Sequence, residues 1–235
     1  MNDKTIGIIG GMGPEATATL FKKLIRATKA TRDQDHFRIV IDSNPKIPDR
    51  TAAILGNGKS PVNAIVKAGR NLEKMDADIA LIPCNTSHYF FDEIQEQLTI
   101  PLVNMMADLA NFLDSDCPGI EKFGLLATTG TVKTGLYAKY LAGKELVYPN
   151  GSIQENKVME AIYGNMGIKS GHTGDGPRML LKQAANGLIT AGAEVIISGC
   201  TEIGLALKPE HISVPLLDPM DISVQAVISR LTKKP

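Results

Sequence analysis

Ala77-Asp78-Ile79-Ala80-Leu81-Ile82-Pro83-Cys84-Asn85-Thr86 and Ala193-Glu194-Val195-Ile196-Ile197-Ser198-Gly199-Cys200-Thr201-Glu202 are the two stretches from which the rest of the chain can be read. Each is a short apolar run bounded by polar residues, the pattern of a strand covered on both faces. Each predicted strand releases a thiol and then a hydroxyl into the start of a predicted helix. The two cysteines are 116 residues apart, close to half the chain. Gly7 in Ile6-Gly7-Ile8-Ile9 matches Gly124 in Phe123-Gly124-Leu125-Leu126 at an offset of 117, and Pro101 matches Pro215 at 114. Three landmarks in one order at a nearly constant offset indicate an internal duplication.

The remaining elements fit that reading. Thr5 to Ile9 reads as a first strand, followed by Gly10-Gly11-Met12-Gly13-Pro14, with Pro14 suited to the first turn of a helix reaching Ala30. Phe37 to Ile41 is a second strand running into the proline-punctuated loop from Asp42 to Arg50. Val62, Ile65, Val66, Gly69, Leu72 and Met75 keep a helical period. A helix from Ser87 and a strand over Ile100 to Val103 follow. In the second half, Ser152 with Glu155 matches a capping box, and a polar loop over 167–176 carries Lys169 and His172. Alternating strands and helices predict an α/β protein of two similar domains with parallel sheets flanked by helices, related by pseudo-two-fold symmetry. The stretch 114–121 is the boundary candidate, giving residues 1–113 plus 215–235 as one α/β domain and 114–214 as the other.

The chain has 235 residues, 43% of them hydrophobic, with 25 basic and 25 acidic side chains. Zero formal net charge gives no support for nucleic-acid or membrane-surface binding. No apolar run approaches the ~20 residues that span a bilayer, and no signal-peptide core follows Asp3 and Lys4. A cytoplasmic location is expected. Cys84, Cys117 and Cys200 lack C-x-x-C spacing, so neither a disulfide framework nor a zinc site is expected. Cys117 precedes Pro118-Gly119 in a turn and lacks the strand-to-helix setting.

In parallel α/β sheets ligands sit beyond the carboxyl ends of the strands. Met12, Asn44, Arg50, Cys84, Asn85, Thr86, Thr128, Thr131, Cys200 and Thr201 all occupy such positions. A thiol at a helix N-terminus is expected to have a lowered pKa and to serve as a proton acceptor. Two thiols on opposite faces of one carbon suit inversion of a stereocentre, one removing a proton and the other delivering one. Arg50 can grip a carboxylate bidentately. The hydroxyls of Thr86, Thr128, Thr131 and Thr201 can hold a second carboxylate or cap helices. Glu202 suits either a substrate amine or a helix start. Lys169 by itself reads as a solvated charge, and His88 as a packed, hydrogen-bonded residue. Gly11-x-Gly13-x-x-Ala16 has the shape of a dinucleotide fingerprint, with Asp42 as its ribose acid. The gap from Gly13 to Asp42 is 29 residues against the ~20 expected, and the motif leaves both cysteines unexplained.

With these residues in view, the sequence resembles the aspartate/glutamate racemase family, most closely its aspartate racemases. The carrying motifs are Gly10-Gly11-Met12-Gly13-Pro14, Asn44-Pro45-Lys46-Ile47-Pro48-Asp49-Arg50-Thr51, Pro83-Cys84-Asn85-Thr86, Ala127-Thr128-Thr129-Gly130-Thr131, Gly199-Cys200-Thr201-Glu202 and Asp218-Pro219-Met220-Asp221. The resemblance implies a site between two α/β domains, commonly in a homodimer. It also implies racemisation without pyridoxal phosphate or any other cofactor, with Cys84 and Cys200 as the two acid/base groups. Arg50 and Lys169 would contact the amino-acid substrate. Met12, Asn44, Asn85, Thr86, the loop of Thr128, Thr129, Gly130 and Thr131, and Thr201 with Glu202 would line its site. Aspartate ranks first as substrate, with glutamate or a broader range behind it, since one methylene is worth only ~1–3 kcal/mol. A non-catalytic amino-acid or dicarboxylate-binding protein on this fold is the competing class.

Overall fold

The computed structural model describes residues 3–232. The chain divides into two units, one reaching Asp108 and resuming at Met220, the other running from Leu109 to Pro219. In the first unit the order is β1 (Thr5–Gly10), α1 (Pro14–Ala27), β2 (Arg38–Ser43), α2 (Arg50–Ile54), α3 (Val62–Glu73), β3 (Ile79–Leu81) and α4 (Phe91–Gln95). Helix α5 (Met105–Asp116) leads into the second unit. That unit holds β4 (Lys122–Leu126), α6 (Thr129–Lys133), α7 (Leu136–Tyr140), β5 (Glu145–Val147), α8 (Gly151–Ile153), α9 (Glu160–Tyr163), α10 (Asp175–Thr190), β6 (Val195–Ser198), α11 (Ile203–Ala206) and β7 (Leu216–Leu217). Helix α12 (Pro219–Thr232) returns the chain to the first unit.

Both sheets are parallel, with orders β2-β1-β3 and β5-β4-β6-β7. The duplication is visible in their register. Gly7 pairs with Ala80, which bridges to Leu102; Gly124 pairs with Ile196, which pairs with Leu216. The Ala80 N–H donates to the Pro101 carbonyl at 3.0 Å, and the Ile196 N–H to the Pro215 carbonyl at 2.9 Å. Residue 215 therefore belongs with the second sheet, not with the first domain to which the sequence reading assigned 215–235. The predicted strand over 100–103 contracts to one bridge, since Pro101 has no N–H to extend a ladder.

The same close approach of helix to sheet recurs in each unit. A Cβ on Gly7 would lie 2.9 Å from Leu72 and 3.3 Å from Ala77; one on Gly124 would lie 3.0 Å from Leu188 and 3.1 Å from Ala193. Leu72 lies in the last turn of α3 and Leu188 in the last turn of α10, and both helices stop through one left-handed residue, Asp76 (φ 58°) or Gly192 (φ 95°). After each stop the chain folds back by the same bond, Ala77 N–H to the Leu72 carbonyl and Ala193 N–H to the Leu188 carbonyl.

Several boundaries differ from the sequence reading. Helix α1 stops at Ala27, where the Thr28 side chain bonds the Leu24 carbonyl. Met75 falls beyond the end of α3 and is exposed, leaving Val62, Ile65, Val66, Gly69 and Leu72 as the buried stripe. The expected capping box at Ser152 gives way to Asn150, whose side chain accepts from Ile153 N–H at 2.9 Å. Gly11 has φ +93°, and the Asn44 backbone fills the space a Cβ would need. Close packing of chain on chain thus accounts for the glycine that suggested a dinucleotide. Asp42 is bound by Asn71 Nδ2 at 2.8 Å. No helix among the described residues is long and apolar enough to cross a membrane.

Candidate active site

In the first unit the candidate residues gather where β1, β2 and β3 end. Cys84 follows β3 in extended conformation (φ −151°, ψ 106°) and is buried. The helix expected after it is a tight 3-10 turn over Asn85–Phe90, followed by the short α4. Asn85 is 2% exposed, and neither its amide nitrogen nor its amide oxygen has a hydrogen-bond partner. Such a group is costly to leave unsatisfied, and a polar ligand would relieve it. Thr86 is buried beside it. Met12 packs in the same core cluster as Cys84 and accepts a hydrogen bond from Ser87 Oγ at 3.5 Å. Asn44 uses its side-chain oxygen to accept from Lys46 N–H at 3.0 Å, forming the turn that carries the loop towards Arg50.

Arg50 is not in an exposed loop. It opens α2, capped by Asp49, and only 8% of it is exposed. Its Nη1 donates to the carbonyls of Pro48 at 3.0 Å and Ile47 at 3.4 Å, so the guanidinium is tied to the backbone that precedes it.

His88, read from sequence as a packed residue, holds the Cys84 turn. Met105 N–H donates to its Nε2 at 3.3 Å, which leaves the ring proton on Nδ1, 3.0 Å from the Cys84 carbonyl. Burial holds the imidazole below its ordinary pKa, against the opposing effects of the Cys84 carbonyl and Asp108.

In the second unit Thr128 caps α6, with Thr131 N–H donating to its hydroxyl and the two threonine hydroxyls 3.1 Å apart. Gly130 and Thr131 are buried in that first turn. Thr129 Oγ1 donates to Glu155 at 2.7 Å, the carboxylate that the sequence reading had placed in a capping box.

The surroundings of Cys200 are set by Glu202. The Cys200 thiol donates to Glu202 Oε2 at 2.9 Å, Thr201 Oγ1 donates to the same oxygen at 3.1 Å, and Lys169 Nζ donates to Oε1 at 2.6 Å. Lys169 also lies 5.4 Å from the centre of the Tyr163 ring. Burial opposes ionisation of Glu202, but the Lys169 ammonium and the hydrogen bonds to the carboxylate outweigh it and hold its pKa below the usual value. Burial pushes the Cys200 thiol well above the ordinary range, Glu202 adds to this, and Lys169 opposes it. The lowered thiol pKa expected from a helix N-terminus is thus reversed at Cys200. A turn and the four-residue α11 follow it, which is too little helix to offset a buried carboxylate.

The sequence reading missed Tyr137. Its ring is fully buried and its hydroxyl has no hydrogen-bond partner; burial, then Cys200 and Asp218, push its pKa well up. Its place on α7, the helix after the Thr128–Thr131 turn, was the available signal. Cys117 is half-buried in the turn that closes on Ile120.

Residues 9–227 match the family described as Asp/Glu/Hydantoin racemase. The broad-specificity amino-acid racemase RacX of Bacillus subtilis is 27% identical over 233 residues, 95% of this chain and 96% of that protein. The structure of the Picrophilus torridus aspartate racemase superposes with a TM-score of 0.82 at 30% identity, covering 98% of this chain and 95% of that one. A glutamate racemase from Francisella tularensis in complex with D-glutamate shares the fold, with a TM-score of 0.69 at 19% identity over 100% of this chain and 86% of its own. With its duplicated parallel sheets and a cysteine beyond the same strand of each, the chain belongs to the Asp/Glu/hydantoin racemase family.

Proposed function

We propose that the protein is an amino-acid racemase that works without a cofactor by proton transfer between two thiols, with aspartate as its first-ranked substrate. The observation that carries this reading is the equivalence of Cys84 and Cys200. Each lies four residues beyond the strand residue that pairs with the glycine of its central strand, Ala80 with Gly7 and Ile196 with Gly124. In one direction, the Cα–H bond breaks and its proton passes to the Cys84 thiolate. The Cys200 S–H bond then breaks, its electron pair staying on sulfur and its proton bonding to the opposite face of Cα. The other enantiomer follows the reverse course.

Arg50 and Lys169 supply positive charge for the substrate carboxylates, and the unsatisfied Asn85 amide offers both a donor and an acceptor. A second reading, a wider amino-acid range, is favoured by the relative whose name states broad specificity. The test is loss of optical rotation from L-aspartate, and from a panel of other L-amino acids, in D₂O with purified protein. The product enantiomer is expected to acquire deuterium at Cα while early unreacted substrate stays protiated. Hydroxylamine and EDTA are expected to leave turnover unchanged. A Cys84→Ala or Cys200→Ala variant that racemises at near wild-type rate refutes the two-thiol mechanism, and a protein inert on every amino acid tested refutes the activity.

A further inference from the structure

The duplication gives each thiol's surroundings a counterpart in the other unit. At the offset that relates Cys84 to Cys200, Asn85 corresponds to Thr201, and Thr86 to Glu202. The first unit thus places a hydroxyl where the second places a carboxylate. That carboxylate is 5% exposed, and its two oxygens are divided between the thiol at 2.9 Å and the Lys169 ammonium at 2.6 Å. An ionised carboxylate has only lone pairs to offer, so the proton in the Cys200–Glu202 contact belongs to sulfur. The Thr201 hydroxyl donates to the same oxygen and further fixes the carboxylate in place.

We infer that Glu202 is a positioning residue that keeps Cys200 in its protonated form in the resting protein, so that the two thiols of the duplicated site enter turnover unequal. Cys200 is the resting proton donor. The inference rests on the reading of Cys200 as an acid/base group and deepens it. Glu202 acts through sulfur, not on the amino acid: its charge opposes a thiolate at Cys200, and Lys169 keeps that charge in place. After Cys200 has delivered its proton, thiolate and carboxylate repel each other, which favours recapture of a proton by that sulfur. The direction in which Cys200 delivers its proton therefore starts from the resting form.

Thiolate absorbance near 240 nm measures this without any substrate. In a Cys84→Ala/Cys117→Ala variant of the full chain, Cys200 is the only thiol left to titrate. Adding Glu202→Gln removes the charge while keeping the shape, and the ionised fraction of Cys200 at a fixed pH below the midpoint is expected to rise at least about tenfold. A midpoint unchanged or raised overturns the inference. If Glu202→Gln does not fold, Glu202→Asp is read in the same way. Its carboxylate is retracted by one methylene and cannot span both partners, so a midpoint below that of the parent supports the inference and an equal one overturns it. Because no substrate is present, this result stands apart from that of the racemisation assay.

Discussion

Lowering the pH should loosen the first unit through His88, and the size of the effect follows from its contacts. In the folded chain Nε2 accepts the Met105 N–H, and a proton placed there forces out that donor. The folded pKa therefore lies below the ordinary histidine value, with burial as the first cause. The unfolded chain, with a histidine pKa near 6.5, binds the proton first. Stability from this group is thus complete above about pH 7.5 and is lost as pH falls towards the depressed folded value. If the folded ring stays neutral, the loss between pH 7.5 and 5.5 comes to about 1.4 kcal/mol, close to one proton over one pH unit. Native-state hydrogen exchange at the Met105 amide, corrected for intrinsic rates, reads this directly. The opening free energy should fall by that amount in wild type. His88→Gln, which does not titrate, should be less stable at pH 7.5 but should lack that loss. The Ile196 amide in the second unit, bonded to the Pro215 carbonyl at 2.9 Å, serves as the internal control. The same pH slope at Met105 in wild type and His88→Gln would refute the assignment.

Two further substitutions test the loop and the helix stop. Arg50→Lys keeps the charge but loses the fork. The kcat/KM is expected to fall at least about tenfold, and because the side chain is buried and bonded to Pro48 and Ile47, stability should drop by about 1–2 kcal/mol in a urea titration. Unaltered kinetics would remove Arg50 from the site. Asp76→Gly relieves a left-handed residue at an exposed stop whose counterpart is already Gly192, with an expected gain of about 0.5 kcal/mol by the same titration. A loss of stability there would mean that the Asp76 side chain matters more than its backbone strain.

The repeat was legible because it rests on residues whose backbone demands leave a mark in sequence. Gly7 and Gly124 face a helix too close for a side chain, and Pro101 and Pro215 offer equivalent carbonyls to the neighbouring strand. The cysteines were legible as strand ends for the same reason. The second unit runs on to Pro219 because the two-residue β7 pairs with β6, a pairing that the Pro101–Pro215 match alone did not turn into a domain limit. The burial of Arg50 was hidden because α2 spans five residues, too few for a period to show. Glu202 next to Cys200 reads from sequence as a group for the substrate amine or as a helix-start acid. Only the reach of two side chains across one turn, and of Lys169 from 33 residues away, shows it bound to the thiol. No spacing rule predicts that Tyr137 or His88 would be buried with those particular neighbours.

The glycine contacts bear on how such a chain can diverge. The gap between central strand and covering helix is set three ways, by Gly7, Leu72 and Ala77 in one half and by Gly124, Leu188 and Ala193 in the other. Enlarging any one of the three jams the layer, and trimming the leucine opens a void, so a drifting lineage leaves this arrangement only through concerted change. Variation is channelled instead into the loops beyond the strands, where Thr86 and Glu202 already part company on matched platforms. Each half thereby preserves a record of the scaffold on which the other was altered.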